Sequence, residues 1–282
     1  MFWIHRGSLA SRLAPGMAIA LAPPMLKHTV RFLALACLLV PACATHIPPP
    51  RTAVKEDAES PDKAWARVLS KHVNDKGQID FAAIAKDPSD LGTYLAWVAR
   101  VSPDSSPDSF PTNEAKLAYY VNAYNALAIY DVIHSNFPGD IDKVKKIFFY
   151  TNRFEMGGRY VSLYGLENST IRPIGDPRVH FALNCMAKSC PRLPREPFQG
   201  DTLEATFARD ARYFFAEERN VSLEPARKTV RLSSILQFYE KDFLKKAPSL
   251  IAYANQYRNE KIPGDWKVEF IPYDWKLNKQ SK

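Results

Sequence analysis

Between Ala115 and His134 the apolar residues Leu117, Tyr120, Val121, Tyr124, Leu127, Ala128 and Val132 recur at helical spacing on most sides of the axis. A helix that is apolar most of the way round belongs inside a protein, with other elements packed about it. Asn113-Glu114 opens this helix. Asn122 and Asn125 interrupt it and, spaced i, i+3, share one face. Buried amides need partners, so these two either brace neighbouring backbone or line a site.

The remaining segments read as shorter pieces arranged around that helix. Trp65, Val68, Leu69 and His72 mark an amphipathic helix over 61–72, and Leu91, Tyr94, Leu95 and Val98 another. Arg153–Met156 and Arg159–Leu163 flank Gly157-Gly158, a hairpin signal. Leu166–Ile171 is a short helix or turn carrying Glu167, and Arg178–Asn184 reads as a strand. Leu203–Phe215 is helical and Val221–Leu232 a second hairpin. Ser233-Ser234 caps a helix over Ile235–Leu244, and 249–258 is another. With 46% hydrophobic residues in 282, the core needs no staples, and four cysteines are too few for a disulfide scaffold. The expectation is one α+β domain over 61–282, with a central buried helix packed on a small antiparallel sheet.

The N-terminal segment reads as an address. Lys27, His28 and Arg31 precede the apolar run Phe32–Val40, which is too short to span a bilayer and suits a secretory signal over 1–42. Met25 would give a signal of ordinary length and is a candidate true start. Val40-Pro41-Ala42-Cys43 is similar to a bacterial lipobox, in which Cys43 is lipidated; a plain cleavage site near Ala42 or Ala44 is the alternative. Residues 43–60, with Pro48-Pro49-Pro50 and then a polar run, suit a solvated tether. Ala44 is not the aspartate of inner-membrane retention, so the expected location is the outer membrane, facing the periplasm. Arg6, Arg12, Lys27 and Arg31 account for half of the formal net charge of +8. The domain itself is nearly balanced and shows no basic and aromatic interleaving, so nucleic acid is not an expected partner. The expected partners are the membrane, through the anchor, and an envelope peptide, glycan or protein.

The candidate chemistry lies in Asp176–Leu193. If Arg178–Asn184 is a strand, Val179, Phe181 and Leu183 face the core, and His180 and Arg178 flank the small Ala182 on the other side. A histidine near a thiol is the arrangement that yields a nucleophilic thiolate near neutral pH. Pro191 suits a first helical position, which makes Cys190 a helix-start residue and the preferred nucleophile over Cys185. Alternatively, Cys185 and Cys190 form a disulfide in an oxidising compartment. Glu167 and Arg178 pair with each other or bind a polar substrate; Asp274 orients His180 or caps a turn. No cofactor or metal is implied: two cysteines and one histidine lack CxxC or paired-histidine spacing, and there is no glycine-rich phosphate loop.

The blocks Ala118–Leu127, Gly157–Leu163, Asp176–Leu193, Leu232–Tyr239 with Asp242-Phe243, and Tyr273–Asn278 together resemble the Domain of Unknown Function 547 family. Tyr120 stands where that family usually shows tryptophan. The resemblance implies a fold more than an activity, since the family's activity is not established. It also implies export, common among bacterial members, and an interaction role in the plant members that carry the domain behind a coiled coil. A buried helix with a polar face, a strand starting with histidine and a later aspartate also loosely resemble papain- and transglutaminase-like proteins. In those a cysteine opens the helix, whereas here the cysteines follow the histidine. Two functions are therefore expected as alternatives. One is a thiol-dependent hydrolase or acyl-transferase of the envelope, using His180 with Cys190 or Cys185, Asp274 or Asn122 as orienting or oxyanion-binding groups, and Arg178, Asn122, Asn125 and Glu167 toward substrate. The other is a non-catalytic binding module with a structural Cys185–Cys190 disulfide.

Overall fold

A computed structural model describes residues 44–50 and 60–281. The expected signal peptide, the alternative start Met25, Cys43 and tether residues 51–59 lie outside the described residues. The tether reading changes where it can be followed. β1 (Thr45–Ile47) is a strand, with Ile47 buried and the Pro48 carbonyl accepting from the Tyr130 hydroxyl at 2.9 Å. A single buried apolar residue, with β-branched Thr45 and Ile47 at the two ends, is enough to seat a short strand.

α1 (Pro61–His72) starts with proline in its first turn and ends in Lys71 and His72, and it buries Trp65, Val68 and Leu69 as the spacing predicts. α2 (Phe81–Lys86) is capped by the Asp80 side chain, which accepts from the Ala83 amide. α3 (Ser89–Arg100) buries Leu91, Tyr94, Leu95 and Val98. α4 (Asn113–His134), capped by Thr112, is buried on every side from Leu117 to Ile129. It is the axis of the larger of two apolar clusters.

α5 (Ile141–Lys146) runs into a wide π-type turn over Ile147–Thr151, and β2 (Asn152–Met156) returns as β3 (Arg159–Val161). Gly157 and Gly158 turn this hairpin at φ +57 and +77. A Cβ on Gly157 would stand 2.1 Å from the Ser102 hydroxyl oxygen, so the position needs both the left-handed backbone and the missing side chain. α6 (Leu163–Gly165) leads into a second π-type turn, Leu166–Ile171, which carries Glu167.

The second half builds a smaller apolar cluster around Phe181, Phe214, Phe215, Phe243 and Tyr253. Its elements are α7 (Leu203–Ala216), β4 (Val221–Glu224), β5 (Thr229–Ser233), α8 (Ser234–Phe238), α9 (Glu240–Phe243), α10 (Leu250–Ala254) and β6 (Lys267–Ile271). The helix expected over Ile235–Leu244 is thus broken at Tyr239, and the one expected over 249–258 is five residues long.

The described residues form one compact unit of mixed helix and sheet, so the α+β class holds. The sheet content is divided differently from the expected single antiparallel sheet. β1 joins the first hairpin parallel to β2, and β6 joins the second parallel to β5, which makes two three-stranded mixed sheets. In both cases a strand distant in sequence docks on a hairpin edge, where no turn residue announces the pairing.

The strand expected over Arg178–Asn184 is absent. Pro177–Phe181 is a 3₁₀ turn, with proline at its start and the Asp176 side chain accepting from the Arg178 amide at 2.9 Å. Val179 and Ala182 pack into the first cluster and Phe181 into the second, so the turn lies on the seam between them. Residues buried in both directions have no polar face, and their apparent alternation carries no strand information. The papain- and transglutaminase-like likeness loses the histidine strand on which it rested.

Candidate functional site

The amides of α4 fix the backbone that follows the 3₁₀ turn. Asn125 donates from Nδ2 to the Ala182 carbonyl at 3.0 Å and accepts the Asn184 amide at 2.8 Å. Asn184 passes the bracing on: its Nδ2 donates to the Pro191 carbonyl at 2.7 Å, and its Oδ1 accepts the Met186 amide at 2.8 Å. This chain of amides closes the 184–191 loop on itself, with Met186 held at φ +68. Asn122 does similar work elsewhere, accepting from Trp65 Nε1 at 3.2 Å and the Phe198 amide at 3.0 Å and donating to the Phe198 carbonyl at 2.8 Å. Both asparagines are therefore backbone braces, not substrate contacts.

Loop closure brings Cys185 and Cys190 together as free cysteines with their sulfurs 2.7 Å apart. The Cys185 amide donates to Cys190 Sγ at 3.1 Å, and the Tyr273 hydroxyl stands 3.2 Å from Cys190 Sγ and 3.4 Å from Cys185 Sγ. Cys190 is buried and Cys185 half-buried. Burial opposes ionisation of Cys190, yet bonds from the Cys185 thiol, the Tyr273 hydroxyl and backbone amides hold it below the ordinary thiol range. Cys185 is pushed well above that range by its bond to Cys190 and by burial. Cys190 is thus the acidic thiol of the pair, and Cys185 and Tyr273 are its donors. No helix begins at Pro191, so side chains and loop amides take the place of the expected helix start.

The C-terminal segment delivers Tyr273. Lys188 and Ser189 donate their amides to the Lys276 and Asp274 carbonyls at 2.8 and 3.1 Å, and the Asp274 amide donates to Ser189 Oγ at 2.8 Å. Asp274 itself is exposed, and its carboxylate accepts the Lys276 amide at 3.0 Å. It caps a turn and does not orient His180.

Asp242 orients His180. His180 Nε2 lies 3.1 Å from Asp242 Oδ2, which also accepts Arg172 Nε at 2.8 Å, while Lys245 reaches Asp242 Oδ1 at 3.1 Å. The bond from His180, with Arg172 and Lys245 in support, outweighs burial and holds the Asp242 carboxyl well below the usual carboxylate range. Burial lowers the His180 pKa despite the Asp242 bond, which keeps the ring neutral. A neutral imidazole beside a carboxylate donates to it, so the proton is placed on Nε2 and Nδ1 keeps its lone pair. Tyr239 stacks on the ring at 3.8 Å between centroids, and Phe243 meets it edge-on at 5.4 Å.

His180, Glu167, Cys185, Cys190, Tyr239 and Tyr273 line one cavity of about 70 Å³. Glu167 is 7% exposed and takes a long contact of 3.4 Å from the Tyr124 hydroxyl. Arg178 lies outside this cavity. It is bonded to Asp176 at 2.7 Å and Glu204 at 2.6 Å and lines a separate cleft of about 460 Å³. Of the residues assigned from sequence, His180, Cys185, Cys190 and Glu167 converge; Arg178, Asn122, Asn125 and Asp274 do not. Asp242 and Tyr273 were missed as site residues, although both lie in blocks that carry the family resemblance. Among the described residues no group of three His, Cys, Asp or Glu side chains is placed to hold a metal ion.

Residues 107–215 match the family described as Protein of unknown function, DUF547. That stretch contains α4, the first hairpin, the Glu167 turn, His180 and both cysteines, and the match supports the resemblance drawn from the sequence blocks. Asp242 and Tyr273 lie beyond it. No curated protein and no solved structure matches the chain.

Proposed function

We propose that the protein is a thiol-dependent hydrolase or acyl-transferase in which Cys190 is the nucleophile, His180 carries the proton and Asp242 orients the histidine. One observation carries this reading: Cys190 Sγ, within 3.1 Å of the Cys185 amide and 3.2 Å of the Tyr273 hydroxyl, shares a cavity with His180, whose Nε2 lies 3.1 Å from the Asp242 carboxylate. Cys190 Sγ attacks an acyl carbonyl carbon while the thiol proton passes to His180. Collapse of the adduct breaks the bond to the leaving group, which departs with that proton. Water or an amine then attacks the thioester, its proton returns through His180 to sulfur, and the acyl product leaves. The cavity of about 70 Å³ admits the reacting carbonyl and little else, so the bulk of the substrate stays outside it.

We further propose that the domain works in the cell envelope. The signal over 1–42, the lipobox ending at Cys43 and the Pro-rich run after it support an exported lipoprotein anchored in the outer membrane and facing the periplasm. The N-terminal peptide of the envelope-fractionated protein, identified by mass spectrometry, tests this; an acylated Cys43 is the expected result.

A second reading has its own support in the sulfur separation of 2.7 Å, which suits closure into a structural disulfide in a module that binds an envelope peptide, glycan or protein without chemistry. Alkylation between about pH 4 and 9, on protein purified from an oxidising compartment without reductant, separates the two. The enzyme reading expects one adduct, on Cys190, with an apparent pKa below the ordinary value. Protection of both cysteines until reductant is added supports the disulfide and overturns the enzyme.

A further inference from the structure

Three segments meet at one end of the first sheet. β1 and β2 run parallel with Thr45 paired to Asn152, so the chain enters β1 beside the Ile147–Thr151 turn that feeds β2. β3 runs antiparallel to β2 and therefore leaves at this same end, into α6 with Tyr164. The Tyr150 and Tyr164 rings, 4.5 Å apart between centroids, join the two segments.

This end is apolar at its tip and basic beside it. Ile147, Tyr150 and Tyr164 are 53, 46 and 45% exposed. α5 runs into the turn and exposes Lys143, Lys145 and Lys146 in its last turn. Lys276 and Lys188, both exposed, follow through backbone contacts from Asp140 to Lys276 and from Lys276 to Lys188. The carboxylates among these segments are Asp140, Asp142 and Asp274, of which Asp142 meets Lys145 at 3.5 Å, so the balance is basic. Tyrosine settles at the headgroup level of a bilayer, isoleucine favours the hydrocarbon below it, and lysine is drawn to anionic headgroups.

The entry of the chain selects a lipid surface over a protein partner. Paired strands lie about 5 Å apart and two residues reach at most about 7 Å, so the chain cannot carry Cys43 more than about 12 Å from Asn152. Asn152 is itself two positions from Tyr150. An acyl group on Cys43 therefore enters its leaflet beside the exposed tip, because β1 takes up the chain at once and leaves no spacer between anchor and domain. Phe149 of the same turn lines the thiol cavity, as does Trp275, whose ring centroid lies 4.4 Å from Lys145 Nζ. A docked domain thus carries its thiol site close to the leaflet.

We propose that this end of the domain docks on an anionic phospholipid leaflet, with Ile147, Tyr150 and Tyr164 at its surface and the α5 lysines on its headgroups. The anchor's share of the argument rests on the acylation of Cys43 proposed above; the affinity of the surface itself does not, and it is measured without the acyl group. The chain over 43–282 carrying Cys43→Ser is sedimented with vesicles of phosphatidylglycerol and phosphatidylethanolamine in equal parts, and with vesicles of phosphatidylcholine alone. It binds the anionic vesicles, and at least about tenfold more tightly than the zwitterionic ones. Ile147→Ser combined with Tyr150→Ser weakens this binding about tenfold. Lys143→Glu combined with Lys146→Glu weakens it about tenfold as well, an effect that shrinks at high salt. All four side chains are exposed, so both double variants keep the wild-type melting temperature. Tyr213, an equally exposed tyrosine on α7 that packs on Arg192, serves as the control, and Tyr213→Ser binds as the wild type does. Failure of the unacylated chain to bind anionic vesicles, wild-type binding by both double variants, or an equal loss in Tyr213→Ser overturns the proposal. An unacylated Cys43 in the envelope protein overturns the lipoprotein reading alone, since vesicle binding is read without the acyl group.

Discussion

His180 and Asp242, 62 positions apart in the chain, meet through Nε2 and Oδ2 at 3.1 Å in the seam between the two apolar clusters. The carboxylate favours the charged imidazole and burial disfavours it; burial wins. Asp242→Asn removes the favourable partner, so the His180 pKa falls further and the fixed Nε2–H tautomer is lost. Nitrogen chemical shifts of the imidazole, followed through a pH titration, check both effects. A wild-type ring that protonates at or above the ordinary histidine value contradicts the burial argument. If the thiol chemistry holds, the same variant lowers turnover by roughly two to four orders of magnitude without preventing folding.

Tyr273 sits 3.2 Å from Cys190 Sγ and donates to it, with a phenol pushed well above its ordinary range chiefly by burial. Tyr273→Phe removes one of the donors that hold Cys190 down, so the apparent pKa of that thiol rises. Its alkylation rate at pH 7 then falls about threefold to tenfold. Cys185→Ala acts in the same direction, because Cys185 supplies the largest of the lowering contributions. Rates that are equal in wild type and both variants would show that the sulfur is not ionised through these contacts.

The elements legible in the sequence are those whose pattern is local. α1, α3, α4 and α7 follow helical periodicity, and the first hairpin follows from Gly157-Gly158. The 178–184 segment has strand-like alternation without being a strand, because its apolar residues are buried in two different clusters, which erases the contrast between faces that periodicity needs. Asp242 was invisible as a partner because α9 reaches His180 only once the second cluster has assembled, and nothing near position 180 encodes that distance. At 273–278 the block is legible but its contact residue is not: Asp274 has the chemistry of an orienting carboxylate, whereas its neighbour Tyr273 is the one whose hydroxyl stands 3.2 and 3.4 Å from the two sulfurs. For Asn122 and Asn125 the sequence leaves brace and site residue as alternatives, and only their backbone partners decide between the two.

Asn125 braces the cysteine loop through the Ala182 carbonyl and the Asn184 amide. Asn125→Ala strands both groups in a buried setting, so a loss of about 2–4 kcal/mol in urea denaturation is expected. Because the loop that positions Cys185 and Cys190 depends on this brace, the variant also makes the two cysteines alkylate at similar rates. A variant that loses stability but keeps the difference in cysteine reactivity would separate the brace from the site.

Asp131 is fully buried on α4; its Oδ1 accepts from Asn152 at 2.7 Å and Ser135 at 3.1 Å, while Oδ2 has no hydrogen-bond partner. Burial raises its pKa to about 7, although both bonds pull the other way. A carboxyl whose folded pKa lies above its unfolded value binds its proton more tightly in the native state. Stability therefore declines as pH rises from the unfolded value of 3.8 toward 7 and levels off above that. Asp131→Asn keeps an acceptor for Asn152 and removes the buried charge. It should leave stability near pH 4 little changed and raise it at pH 8 by roughly 2–4 kcal/mol. Thermal melts of both proteins across that range read the difference directly; a gain of equal size at both ends would mean the effect is packing, not titration.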